Sequence, residues 1–184
     1  MRLFAATLVL CSVIYPAVVT GFAAMTAGET RHGSVVTDSR GVAVGSKLIA
    51  QKFNMAHYFW PRPSAVDYNG SGSGGSNLSP AGPLLRTKIT EEIDHLTTFS
   101  TPTSSPIPSE LVYSSGSGLD PHISREGALF QVSRVAKARN VSESVVIQII
   151  DKNIPPHLTS MISEPKYVNV LLLNLALDRE ITQK

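Results

Sequence analysis

The chain has 184 residues, which is material for one domain of ordinary size. Charged residues make up 16% and the formal net charge is only +2, which excludes a nucleic-acid binder driven by a basic face, while 42% hydrophobic residues exclude a disordered chain. A single cysteine excludes a disulfide framework and a Cys-rich metal site.

The charge is missing first of all at the start. After Arg2, no Asp, Glu, Lys or Arg occurs from Leu3 to Gly28. At ~1.5 Å per residue, about 20 residues cross the ~30 Å hydrocarbon core of a bilayer, so Leu3 to Ala23 is long enough to span one. A lone proline, Pro16, is tolerated in such a helix. The run is too long for the apolar region of a cleaved signal peptide, about 7–15 residues, and the expectation is a permanent anchor over 1–28. Arg2 and the amino terminus are the only positive charges on the short side and favour a cytoplasmic amino terminus. Residues 29–184 then form an extracytoplasmic domain of mixed helix and strand, an α+β fold.

Within that domain, Val35-Val36-Thr37 and Val42-Ala43-Val44 flank the polar stretch Asp38 to Gly41 and predict a hairpin. Gly41 to Lys47 has a glycine spacing near that of a phosphate loop but one residue short, and it reads as a turn. Lys47 to Phe53 predicts a short helix or strand. Tyr58-Phe59-Trp60 gathers three aromatics ahead of Pro61-Arg62-Pro63-Ser64, which must run extended. Asn69 to Asn77 is a Gly/Ser loop. Ser79-Pro80 opens a helix whose Leu84, Leu85, Ile89, Ile93 and Leu96 keep helical spacing to about Leu96. A Thr/Ser/Pro-rich connector covers Thr97 to Pro108.

A second Gly/Ser turn, Ser114 to Gly118, leads to Ser124, an N-cap for a helix with Ala128, Leu129, Val132, Val135 and Ala136 inside and Arg125, Arg134, Lys137 and Arg139 outside. Ser142 caps another helix, Glu143 to Lys152, ended by Pro155-Pro156. Asn169 caps a last helix with Val170, Leu173 and Leu177 buried, although the alternation there also permits a strand.

Catalytic patterns are absent. Ser163 to Lys166 has a Ser-x-x-Lys spacing, but Pro165 breaks the helix that would align Ser and Lys. The five histidines, His32, His57, His95, His122 and His157, stand singly, without metal-ligand spacing. Asp120 and His122 read as turn-capping residues. The Ser115 to Asp120 stretch is either an anion-holding loop or a tight turn whose glycines permit close approach.

Four segments together resemble the C chain of the bacterial Kdp potassium-transporting ATPase: Phe59-x-x-Arg62-Pro63-Ser64, Ser73 to Leu78, Ser115 to Ser124, and Val168 to Asp178, with Gln131 and Arg134 to Arg139 extending the third. Their order and spacing, with the apolar start, make the resemblance cover nearly the whole chain. It implies a single-span accessory subunit, without catalytic residues of its own, in a complex with ion-selecting (A), ATP-hydrolysing (B) and small (F) subunits, and no nucleic-acid partner. It also implies a catalytic-chaperone role that raises the ATP affinity of the hydrolysing subunit, with Ser115, Gly116, Ser117, Gly118, Asp120 and Gln131 as nucleotide contacts.

The expected orientation opposes ATP as a ligand, because a domain outside cannot touch a cytoplasmic nucleotide. It favours packing on the ion-selecting subunit, with Phe59, Trp60 and Arg62 either as an interface anchor or as core. A membrane-anchored extracytoplasmic hydrolase using a serine and His122 is the alternative. No metal is expected on this chain.

Overall fold

A computed structural model describes residues 1–38, 40–99, 106–155 and 166–182. The expectations for Pro156, His157 and Ser163 to Pro165, and for much of the Thr97 to Pro108 connector, lie outside these residues.

Two compact units divide the chain, Met1–Ser46 and Lys47–Lys184. The first begins with helix α1 (Arg2–Val9), a five-residue π turn (Leu10–Ile14) and helix α2 (Tyr15–Thr26). Within Arg2–Thr26 the most apolar 18-residue stretch has a mean hydropathy of 2.1, and the helix is long and apolar enough to cross a membrane. The π turn has a local cause. Pro16 has no N–H, and its ring would collide with the carbonyl of residue 12 in a regular helix, so the preceding turn widens. Strands β1 (Val35–Thr37) and β2 (Ala43–Ser46) then pair antiparallel, with a bulge between Val36 and Thr37. Asp38 Oδ1 accepts from the N–H groups of Arg40 (2.9 Å) and Val42 (3.0 Å), and Gly41 takes φ +78°. The glycines from Gly41 to Gly45 therefore belong to this hairpin.

The second unit holds helix α3 (Pro83–Phe99), strand β3 (His122–Ser124), helices α4 (Arg125–Arg139) and α5 (Glu143–Lys152), strand β4 (Tyr167–Asn169) and helix α6 (Val170–Thr182). The strands β3 and β4 pair antiparallel with His122 opposite Asn169 and Ile123 opposite Val168. The buried Ile123 and Val168 join Val132 and Val135 of α4, Val146, Ile149 and Ile150 of α5, and Leu173 and Leu177 of α6 in one core.

Of the three expected caps of the second half, Ser124 and Asn169 bond their helices, while Ser142 stands at the N-cap position of α5 without a side-chain cap bond. Ser124 Oγ accepts from Gly127 N (3.0 Å), and Asn169 Oδ1 accepts from Leu172 N (3.2 Å). The open choice at the end of the chain resolves into both forms in succession, strand β4 and then helix α6.

Three expectations are corrected. Lys47 to Phe53 is neither helix nor strand. It is pinned through its backbone instead: Ala50 N donates to Leu119 O (2.8 Å), and Lys47 O accepts from Asn169 Nδ2 (2.9 Å). Helix α3 starts at Pro83, not Ser79, because Gly82 N is taken by Ser79 O in a tight turn (2.9 Å). Arg134 lies inside, 4% exposed, for reasons given below.

Candidate functional site

The segment from Met55 to Trp60 runs from an exposed Met55 into the core at Phe59 and Trp60 without belonging to a sheet. Phe59 is fully buried and Trp60 is 5% exposed. Buried backbone in an irregular conformation must find hydrogen-bond partners, since each group left unsatisfied costs about 1–3 kcal/mol. Here two amide side chains supply them. Asn174 of α6 accepts from Phe59 N (2.8 Å) and donates to Phe59 O (3.0 Å). Gln131 of α4 accepts from Trp60 N (2.8 Å) and donates to Trp60 O (3.1 Å). Each amide thus does what a neighbouring strand would do, for one residue.

Two arginines of α4 complete the strap. Arg134 Nη1 donates to Ala56 O (2.6 Å) and Tyr58 O (2.8 Å), its Nη2 donates to Gln131 Oε1 (2.6 Å), and its guanidinium lies 3.7 Å from the Trp60 ring centre. Burial pulls the Arg134 guanidinium down to about 10, so it stays charged at neutral pH. Arg139 donates to His57 O (2.7 Å) and to Asp178 Oδ1 (2.7 Å), and Asp178 Oδ2 accepts from the Tyr58 hydroxyl (2.9 Å). Arg134 and Arg139 face inward because carbonyls, not solvent, are their partners.

The two Gly/Ser loops pack against each other. Ser117 O accepts from Gly74 N (2.8 Å) and from Ser73 Oγ (3.1 Å), and Ser64 Oγ donates to Gly118 O (2.6 Å). Gly118 has φ +68°, and a Cβ there would lie 2.8 Å from both Gly74 O and Val66 Cγ2. The tight-turn reading of this stretch describes its geometry. Ser115 is buried, Gly116 and Ser117 form an exposed tip, and Ser117 Oγ accepts from Leu119 N (3.1 Å). Asp120 joins Arg62 Nη1 (3.1 Å) to His122 Nδ1 (3.4 Å), and also accepts from His122 N (3.1 Å). The hydrogen bond from His122, seconded by the Arg62 charge, holds the Asp120 carboxyl below its usual range against the opposing effect of burial.

The expected site residues therefore separate. Ser115, Gly116, Ser117 and Gly118 form the loop junction, and Asp120 links it to Arg62. Gln131 is fully buried and spends its hydrogen bonds on Trp60, Arg134 and Gly127 O (3.2 Å). Of the two readings of the aromatic cluster, the core one describes Phe59 and Trp60, and the exposed interface anchor does not hold for them, while Arg62 is half-buried. Sequence reasoning placed Arg134 and Arg139 outside and gave Asn174 and Asp178 no role. Their signal was a row of polar residues, Gln131 and Arg134, on the face that carries Ala128 and Val135. It also missed Glu110, whose Oε1 accepts from Ser124 N (2.7 Å) and Ser124 Oγ (2.6 Å) at the start of α4. Among the described residues no group of three or more His, Cys, Asp or Glu side chains is placed to hold a metal ion.

Comparison with known proteins finds relatives along nearly the whole sequence. A family model described as K+-transporting ATPase, c chain, matches residues 1–179. The potassium-transporting ATPase KdpC subunit of Myxococcus xanthus is 44% identical over 181 residues, covering 97% of this chain and 85% of that protein. The KdpC subunit of Geobacter sulfurreducens is 47% identical over 173 residues, covering 92% and 90%. That of Parvibaculum lavamentivorans is 41% identical over 180 residues, covering 97% and 94%. With its apolar first helix, its mixed domain and these matches over almost its full length, the chain belongs to the KdpC family of potassium-transporting ATPase subunits.

Proposed function

We propose that the chain is a non-catalytic, single-span subunit that assembles and stabilises an ATP-driven potassium importer, with 1–28 as the anchor and 29–184 as an extracytoplasmic domain. Its partners are the ion-selecting, ATP-hydrolysing and small subunits of that complex. The observation that carries this reading is the commitment of the polar groups. Gln131, Asn174, Arg134 and Arg139 are engaged in holding the protein's own backbone, which suits a docking scaffold and leaves little for a bound substrate. The orientation rests on Arg2, the one charged side chain before Glu29.

In this reading any rise in ATP affinity reaches the hydrolysing subunit through subunit contact, not through a nucleotide shared with Ser115 to Asp120 or Gln131. Deleting the gene should abolish growth at micromolar-scale potassium, and normal high-affinity uptake without it would sink the proposal. A photoreactive ATP analogue separates the nucleotide roles. Labelling of Ser115 to Gln131 in intact, oriented vesicles would restore a direct ATP contact, whereas no labelling is expected.

A further inference from the structure

A cleft of about 520 Å³ opens between α3 and the extended segment that follows the strap. Its walls include Phe53, Tyr68, Pro61 and Pro63, and Glu92 and His95 of α3 face it. The charges around it are unequal. Lys52 is already paired with Asp67 (2.7 Å). Glu92, half-buried, has no hydrogen bond or ion pair among the described residues. Burial raises its carboxyl above the usual range, opposed by His95 and assisted by Glu91.

A half-buried carboxylate with no hydrogen bond or ion pair among the described residues is costly unless something else supplies the cation. The surroundings say which cation fits. A volume of about 520 Å³ far exceeds a bare ion. Flat aromatic and proline surfaces suit the plane of a guanidinium, whose fork also matches a carboxylate. Phe99, two helical turns from Glu92 and so on the same face of α3, is 51% exposed with its ring edge against Trp60. An exposed apolar ring two turns along the same helix from an acid without an ion pair among the described residues describes a receptor for a polypeptide rather than for a free solute.

We propose that this cleft receives an arginine side chain from a partner subunit of the complex, with Glu92 as its counter-charge and Phe99 as the neighbouring apolar contact. The proposal rests on the accessory-subunit reading above. The test uses the full chain in detergent and the purified remainder of the complex. Glu92→Gln should weaken association about tenfold, and raising the salt should shrink the difference between the variant and the wild type. The same substitution should leave the thermal stability of the isolated chain unchanged or higher, because it removes a half-buried charge that has no ion pair among the described residues. Glu180→Gln, at an exposed ion pair with Lys152, should leave association unchanged.

A photo-crosslinker replacing Glu91 should capture a partner peptide that contains an arginine. Association of Glu92→Gln within twofold of wild type, a loss of stability in that variant, or a captured peptide without arginine overturns the proposal while leaving the accessory-subunit reading intact. Failure of the wild-type chain to associate overturns both. A saturable change of Trp60 fluorescence in the isolated chain on adding KCl in place of choline chloride, absent in Glu92→Gln, makes the occupant a free cation and overturns the arginine assignment.

Discussion

The strap at Met55 to Trp60 and the paired Gly/Ser loops are both irregular backbone, and they are secured in opposite ways. The strap ends in the core, and side chains of α4 and α6 satisfy its peptide groups. The loops lie nearer the surface, where backbone and small hydroxyls bond to one another and the absence of side chains permits the approach. The difference shows two means of satisfying non-repetitive backbone. One needs long polar side chains at exact helical positions, and the other needs only backbone and short serine hydroxyls. They should therefore fail under different substitutions.

The largest effect is expected in the strap. Gln131→Leu keeps the volume but strands the Trp60 N–H and C=O and removes an acceptor from Arg134, costing about 4 kcal/mol. Denaturant unfolding of the full chain, followed by the fluorescence of its single tryptophan, measures it. Asn174→Leu strands the same two groups of Phe59 without touching an arginine and should cost about 3 kcal/mol by the same measurement. If either variant is as stable as wild type, the side-chain account of the strap is wrong.

At the loops the reverse substitution is harmful. Gly118→Ala adds a methyl where φ is positive and two atoms lie within 2.8 Å, costing about 2 kcal/mol. Gly116→Ala meets nothing within 4 Å and should shift stability by less than about 0.5 kcal/mol. Equal effects at the two glycines would break the close-approach explanation.

Asp120, beside the loops, sharpens the comparison through pH. Its folded-state carboxyl is depressed, so its contribution is fully present above the ordinary carboxylate range and drains away as pH falls through the folded value. The stability gap between wild type and Asp120→Asn should be largest above about pH 5 and close below about pH 4. The smallest effect is expected at the exposed Arg125–Asp151 pair (2.7 Å), where Arg125→Ala should cost under about 1 kcal/mol and less in high salt.

How much of this was legible in the sequence follows from the same contrast. Helices α4 and α5 and their starts were readable, because apolar residues recur at helical spacing behind Ser124 and Ser142. The loops were readable as turns, because glycine and serine announce them. Their mutual packing was not, since it joins residues more than 40 positions apart through backbone atoms and serine hydroxyls that carry no sign of their partner. The strap was illegible for a different reason. A hydrophobic pattern assigns arginine and glutamine to solvent, and nothing in the spacing of Gln131 or Arg134 says that a peptide group waits opposite. Residues 47–53 misled similarly: their apolar content suggests a regular element, but their backbone is held by Leu119 and Asn169, which are distant in sequence.

The π turn at Leu10–Ile14 has a consequence for how the apolar helix meets its surroundings. One widened turn accommodates one residue more than a regular turn, which rotates everything after it by about 100° relative to a continuous α-helix. Side chains seven apart across the turn, such as Leu8 and Tyr15, do not share a face as the sequence spacing implies. A neighbouring helix laid along Arg2–Thr26 meets two short stripes aimed in different directions, and a partner matched to one half is not matched to the other.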